Sequence, residues 1–67
     1  MRLDRVKLIA EMARQNMTRK KLSELTGVSK ATISSITNGK TCSVVVGNAI
    51  INALGVKPEE LLEEVKR

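Results

Sequence analysis

The chain has 67 residues and a net charge of +5, and 42% of its residues are hydrophobic although none is aromatic. This length allows one domain with one small core, which must be built from aliphatic side chains and methionine. No apolar run reaches the roughly 20 residues that a membrane helix needs, and charged residues interrupt the N-terminal segment. We therefore expect a single cytoplasmic domain over residues 1–67.

Side chains suited to catalysis or metal binding are scarce. Histidine is absent and Cys42 is the only cysteine, which excludes an intramolecular disulfide, a His–Cys zinc site and a histidine general base. Lys30, Ser34 and Ser35 would sit on one face of a surface helix, without the oxyanion hole that a serine nucleophile requires. We expect no enzyme activity, no metal, no cofactor and no small-molecule ligand.

The positive charge is concentrated in the first two thirds of the chain. Residues 1–41 contain nine basic and three acidic residues, whereas residues 42–67 contain three basic and four acidic ones. A basic patch of this kind favours a polyanionic partner, although solvated basic surfaces are also common.

Apolar spacing and capping residues predict five short helices. The first ends near Asn16, which tolerates the left-handed conformation that closes a helix. Its predicted buried stripe has Leu8 at the edge and contains Val6, Ile9, Met12 and Ala13.

The second predicted helix begins at Thr18, a good N-cap residue, and ends at Gly27. Leu22 and Leu25 are expected to be buried. Its polar side carries three consecutive cations: Arg19, Lys20 and Lys21.

The third predicted helix, over residues 29–38, has an unusually small outward face. Ser29 caps it, Ile33 and Ile36 face inward, and the outward positions are Lys30, Ala31, Ser34, Ser35 and Asn38. Such a face can enter the DNA major groove, where hydroxyl and amide groups reach base edges and a methyl group can contact thymine. The alternative interpretation is a solvated surface helix.

The fourth predicted helix begins after Ser43 and ends at Gly55, with a buried stripe of Val44, Gly47, Ile51 and Leu54 and with Ile50 alongside. Three β-branched residues and a glycine disfavour helix there, so a short extended segment is the alternative. Val45 points away from the stripe, either as an isolated exposed valine or as part of a partner-facing surface.

The fifth predicted helix has Pro58 at its first position, where proline is favoured. Its acidic residues are interpreted as partners of the helix dipole and as a solvated face rather than as a metal site: Glu59, Glu60, Glu63 and Glu64. Its apolar contacts are expected to be Leu61, Leu62 and Val65.

The segments MARQNMTRKKLSELTGVSKATISSITNGKT and ALGVKPEELLE together resemble the helix-turn-helix proteins of the phage repressor and Cro type, often called the XRE family. The positions that match its structural pattern are Leu22, Leu25, Gly27, Val28, Ile33, Ile36, Gly39, Leu54 and Gly55. The resemblance implies an all-α, lambda repressor-like fold, a compact bundle of five short helices. It also implies a sequence-specific DNA-binding transcriptional regulator, a repressor of phage or mobile-element type.

The resemblance also implies roles for individual residues. Thr18 and Arg19 would lie over the DNA backbone, with Thr32 near a phosphate, and Lys30, Ala31 and Ser35 would contact bases. The complete predicted DNA-binding set is Thr18, Arg19, Lys20, Ser29, Lys30, Ala31, Thr32, Ser34, Ser35, Asn38, Lys40 and Thr41. Within this set, the residues at and after the end of the third helix would contact the DNA backbone: Asn38, Lys40 and Thr41.

Four positions depart from the pattern of many relatives, which have glutamine, alanine and glutamate where this chain has Arg19, Ser23 and Thr37, and proline near Cys42. Arg19 is expected to strengthen attraction to phosphates but to lose the amide that bridges to the third helix.

We expect double-stranded DNA with a palindromic operator as the partner, and a homodimer formed through Val45 and Val46 at least on DNA. The alternative function is a protein-interaction module on the same fold, resembling an antitoxin or an anti-repressor. The exposed valines favour that alternative, whereas the basic residues oppose it.

Overall fold

The computed structural model describes residues 1–62, which contain four α-helices joined by short connections. The helices are α1 (Arg5–Arg14), α2 (Arg19–Thr26), α3 (Lys30–Thr37) and α4 (Val44–Leu54). Helix α2 packs against both α3 and α4, and α1 packs against α3. The all-helical prediction is confirmed for this part of the chain, but the number of helices is not.

The predicted fifth helix is wrong within the described residues. Pro58–Glu60 forms a single 3₁₀ turn, and Leu61 follows it as the C-cap residue. The Asp4 amide donates to the Leu61 carbonyl at 2.7 Å, and Leu62 forms an isolated antiparallel bridge with Leu3. This pairing with the N-terminal segment overrides the local helix signals. Three other residues assigned to this predicted helix lie outside the described residues: Glu63, Glu64 and Val65.

Side-chain caps define the helix starts. The hydroxyl groups of Thr18, Ser29 and Ser43 accept from backbone amides at the starts of α2, α3 and α4, as predicted. Asp4 caps α1 in the same way, which the sequence analysis did not identify. Asn16 adopts the predicted left-handed conformation, with φ 54°.

The buried face of α1 differs from the predicted stripe. Leu8 and Met12 are buried together with Leu3, whereas Val6 is 68% exposed and Ile9 47% exposed, and Ala13 is exposed as well. Six of the ten residues of α1 are apolar, so apolar residues cover more of the helix than one buried face. Their spacing alone therefore could not decide which side packs on the core.

Leu25 also lies outside the core. Leu22 is fully buried, but Leu25 is 53% exposed. Three residues advance an α-helix by about 300°, which leaves Leu25 about 60° away from the direction of Leu22. Because α2 packs on the core through Leu22, Leu25 lies at the edge of the buried face of the helix.

Helix α4 forms in spite of its β-branched start, and Gly47 contributes to its packing. Gly47 is buried, and the space beside its Cα holds the thioether of Met1, which a side chain at this position would meet. The cost of a glycine in the helix is therefore offset by the approach of the N-terminal segment. Val44, predicted to be buried, is 58% exposed because it lies in the first turn, beyond the core.

We expect Leu22→Ala to destabilise the domain by about 2–5 kcal/mol, because it removes a fully buried side chain from a well-packed core. The same substitution at the half-exposed Leu25 serves as the matched control and should cost less than about 1 kcal/mol. Urea unfolding followed by far-UV circular dichroism measures both values. Equal losses at the two positions would show that α2 does not pack in the orientation described.

Candidate nucleic-acid interface

Side-chain hydrogen bonds fix the turn between α2 and α3. The Ser23 hydroxyl donates to the Val28 carbonyl at 2.5 Å, and the Thr26 hydroxyl accepts from the Val28 amide at 3.1 Å. Between them Gly27 adopts a left-handed conformation with φ 74°, which glycine allows without strain. Ser23, which stands where many relatives have alanine, thus ties the end of α2 to the chain that leads into α3.

The start of α3 is held by a reciprocal pair of residues. The Ser29 hydroxyl accepts from the Thr32 amide at 3.2 Å and donates to the Thr32 hydroxyl at 2.8 Å. The first four predicted contact residues of this region, Ser29, Lys30, Ala31 and Thr32, are all exposed. The N-terminal turn of α3 therefore presents short side chains from an ordered backbone.

The remaining residues of the predicted outward face are also accessible. Ser34 and Ser35 are half-buried and Asn38 is exposed, whereas Ile33 and Ile36 are buried in the core. Beyond α3, Lys40 and Thr41 are exposed, and the Lys40 amide donates to the Ser35 carbonyl at 3.1 Å. The amphipathic division predicted for the third helix is confirmed.

Arg19 bridges α2 to α3, contrary to the expectation that this connection is lost. Its Nε donates to the hydroxyl of Thr37 over 3.4 Å, a long hydrogen bond, and that hydroxyl donates in turn to the Ser34 carbonyl at 2.9 Å. The Arg19 side chain is long enough to make the connection to α3 that was expected of a glutamine amide at this position. The two departures at Arg19 and Thr37 are therefore spatially coupled.

The burial of Thr37 and its contact with Arg19 were not predicted from the sequence. Thr37 is 3% exposed and lies on the inward side of α3, four residues after Ile33. The i, i+4 spacing from a core residue is the signal that could have identified it. Its hydroxyl positions the start of α2 rather than facing solvent.

An open groove of about 610 Å³ separates α1 from the helix-turn-helix. It brings together five of the predicted contact residues: Thr18, Arg19, Lys20, Lys30 and Ser34. Its other wall includes Ile9 and Ala13, which the sequence analysis had assigned to the core. Three cations from two helices thus meet at a groove that no acidic residue among residues 1–62 lines, a strongly electropositive arrangement. The other seven predicted residues do not line this groove.

Other chemistry finds little support in the described part of the chain. Residues 1–62 contain no group of three or more His, Cys, Asp or Glu side chains placed to hold a metal ion. Partial burial raises the pKa of the Cys42 thiol, so less of it is present as the reactive thiolate at neutral pH. No helix among these residues has the length and hydrophobicity needed to cross a membrane.

The fold is similar to part of two solved structures, described as "Native PhpD with Cadmium Atoms" and "Phpd with cadmium complexed with hydroethylphosphonate (HEP)". Each is 24% identical to this chain, with TM-scores of 0.82 and 0.81. The similarity covers the whole of this chain but only 15% of each of those chains. It therefore concerns the fold alone. A search of curated proteins finds no match.

The sequence profile that matches the chain is that of the Cro/C1-type HTH DNA-binding domain, and it covers residues 7–66. This range includes the capped helices α2 and α3, the turn between them and the packing helix α4. The resemblance to phage repressor and Cro proteins is thereby confirmed, and the chain belongs to the Cro/C1-type HTH DNA-binding domain family.

Proposed function

We propose that this protein is a sequence-specific DNA-binding transcriptional regulator that inserts helix 29–38 into the major groove. The observation that carries the proposal is the small, polar, exposed face of α3 beside a groove lined by Arg19, Lys20 and Lys30. Short hydroxyl, methyl and amide groups suit contact with base edges, and the neighbouring cations suit contact with phosphates. It acts in the cytoplasm as a repressor of phage or mobile-element type, an assignment that rests on family membership.

The individual roles are proposed from the resemblance to the family, and that of Ser34 from its direction on the helix. Lys30, Ala31 and Ser35 contact bases, and Ser34 is a further contact on the same face. The remaining members of the set contact the sugar-phosphate backbone: Thr18, Arg19, Lys20, Ser29, Thr32, Asn38, Lys40 and Thr41. Because Arg19 is hydrogen-bonded to Thr37, its guanidinium approaches the DNA backbone from a fixed position.

A second candidate function is a protein-interaction module of antitoxin or anti-repressor type. It is favoured by exposed apolar side chains on two helices, with Val45 79% exposed on α4 and Val6 68% exposed on α1. The cation-lined groove favours DNA instead. A gel shift against fragments of random duplex DNA, run beside a pull-down from host lysate, separates the two functions.

Binding should weaken steeply with salt. Each phosphate contact contributes about 0.9 to the slope of log affinity against log salt concentration. We expect Arg19→Ala and Lys40→Ala each to reduce that slope by about this amount. Lys40→Ala, which leaves the contact between Arg19 and Thr37 in place, should also weaken all duplexes alike. Fluorescence anisotropy measures the slope between about 50 and 200 mM salt, a range over which the loss of DNA affinity is large. The control is Lys57→Ala, an exposed lysine after α4, which should leave the slope unchanged.

Substitution on the α3 face should alter sequence preference more than overall attraction. Ala31→Gln adds an amide that can pair with adenine, so we expect a shifted consensus with discrimination of about 1–3 kcal/mol at one base pair. Selection of bound fragments from random duplex DNA measures the preference. The matched control is Ala10→Gln, at an exposed alanine on α1. A consensus that Ala31→Gln leaves identical at every position would contradict the assigned base contact.

We also propose that the protein binds a palindromic operator as a homodimer. A single small module buries little surface on DNA, whereas two copies double the contacts. The self-contact was expected at Val45 and Val46, but Val46 is partly buried against the core. Val44 and Val45, which are 58% and 79% exposed, form the more accessible pair.

The dimer predicts half-sites about 10 to 10.5 base pairs apart, centre to centre. Val44→Ser combined with Val45→Ser should convert cooperative binding of two copies into independent binding, because it removes the apolar self-contact. Footprinting and titration on the selected site measure symmetry and stoichiometry. Val6→Ser, at a similarly exposed valine on α1, is the control. Protection of one unpaired half-site with 1:1 stoichiometry in the parent protein would rule the dimer out.

A further inference from the structure

The N-terminal segment lies directly beside the loop that follows α3. The Cys42 amide donates to the Met1 carbonyl at 2.9 Å, and the Met1 nitrogen donates to the Cys42 carbonyl at the same distance. This reciprocal pair joins residues 41 positions apart in sequence. The backbone itself therefore holds Met1 against Cys42 in the loop of residues 38–43.

Arg5, the first residue of α1, reaches the same loop with its side chain. Its Cδ lies 3.7 Å from the position that a Cβ on Gly39 would occupy, an ordinary van der Waals separation. Gly39 has φ 98°, a conformation that favours glycine, so the chain turns here without a side chain between the loop and Arg5. The aliphatic part of Arg5 thus packs over Gly39, while the residue as a whole remains exposed.

The acidic neighbour of Arg5 in the sequence is engaged in capping the helix. This neighbour, Asp4, uses its carboxylate to accept from the amides of Val6 and Lys7 at the start of α1. The loop itself contributes the exposed Lys40. Two cations from distant parts of the sequence, Arg5 and Lys40, therefore flank Gly39.

We propose that Arg5 and the loop of residues 38–43 form one phosphate-binding surface, on which Arg5 contacts the DNA backbone together with Lys40. This inference rests on the proposed function, since the ligand is the backbone of the same DNA that α3 contacts. It adds a contact from α1 to a set that otherwise comes from α2, α3 and the following loop. A guanidinium suits the site because it can hold two phosphate oxygens from one fixed stem.

The test compares the salt dependence of binding for substitutions at the two ends of α1. Arg5→Ala should reduce the slope of log affinity against log salt by about 0.9, and should weaken binding about fivefold to tenfold at 0.1 M salt for every duplex. Arg5→Lys should retain the slope because it retains the charge. Thermal unfolding of each variant verifies that the domain is intact.

Arg14→Ala is the matched control, since it removes the same charge from the last turn of the same helix. Arg14 forms an ion pair with Glu11, and the hydrogen bond from Arg14 holds the pKa of Glu11 below its ordinary value. Glu11 also accepts from Gln15, whose amide donates to the Leu54 carbonyl at the end of α4, far along α1 from Arg5. We expect Arg14→Ala to show the same slope of log affinity against log salt as the parent protein.

The outcomes separate this inference from the proposed function. If Lys40→Ala flattens the slope but Arg5→Ala does not, the Arg5 contact is wrong and the proposed function stands. Equal flattening by Arg5→Ala and Arg14→Ala would indicate a general effect of net charge and would overturn the local contact. If the parent protein shows no salt-dependent binding to duplex DNA, both the proposed function and the inference fail.

Discussion

The burial of Leu22 is the packing interaction on which the arrangement of this small domain depends. Leu22 is the one fully buried residue of α2, and α2 packs against both α3 and α4. Without aromatic side chains the core consists of aliphatic groups and methionine, which must interlock closely to compensate for their modest size. Through Leu22, the position of α2 follows the core, and α3 follows α2 across a turn of three residues, Gly27, Val28 and Ser29.

Short side chains on α3 make this fixed arrangement necessary. A serine or alanine reaches only a short distance from the backbone, so in the proposed complex its contact with a base depends on where the helix axis lies. Three connections fix that axis: the Ser23 hydroxyl across the turn, the Ser29 cap, and the Arg19 bond to Thr37. Two of them use residues that depart from the pattern of many relatives, Ser23 and the Arg19–Thr37 pair. The departures therefore contribute to the fixed position of α3.

Local chemistry made part of this structure predictable from the sequence. A cap needs only its own hydroxyl and amides two or three residues later, so Thr18, Ser29 and Ser43 were identified correctly. Core positions depend on which neighbours reach a helix, and for that reason Leu25 and Val44 were misassigned. The bridge between Leu3 and Leu62 joins the two ends of the described chain, and no local pattern anticipates it. The groove was likewise hidden, because it needs α1 beside α2 and α3.

The distribution of charge shows the same dependence on the fold. In the sequence the cations of the basic region are separated by apolar and neutral stretches, and their sum indicates only a polyanionic partner. In the structure Arg19, Lys20 and Lys30 meet at one groove, while Arg5 and Lys40 flank Gly39. The small face of α3 contributes a single cation, Lys30, to these two groups. Under the proposed function, attraction to phosphates and selection among bases fall largely to different residues, so that substitutions can change one with little effect on the other.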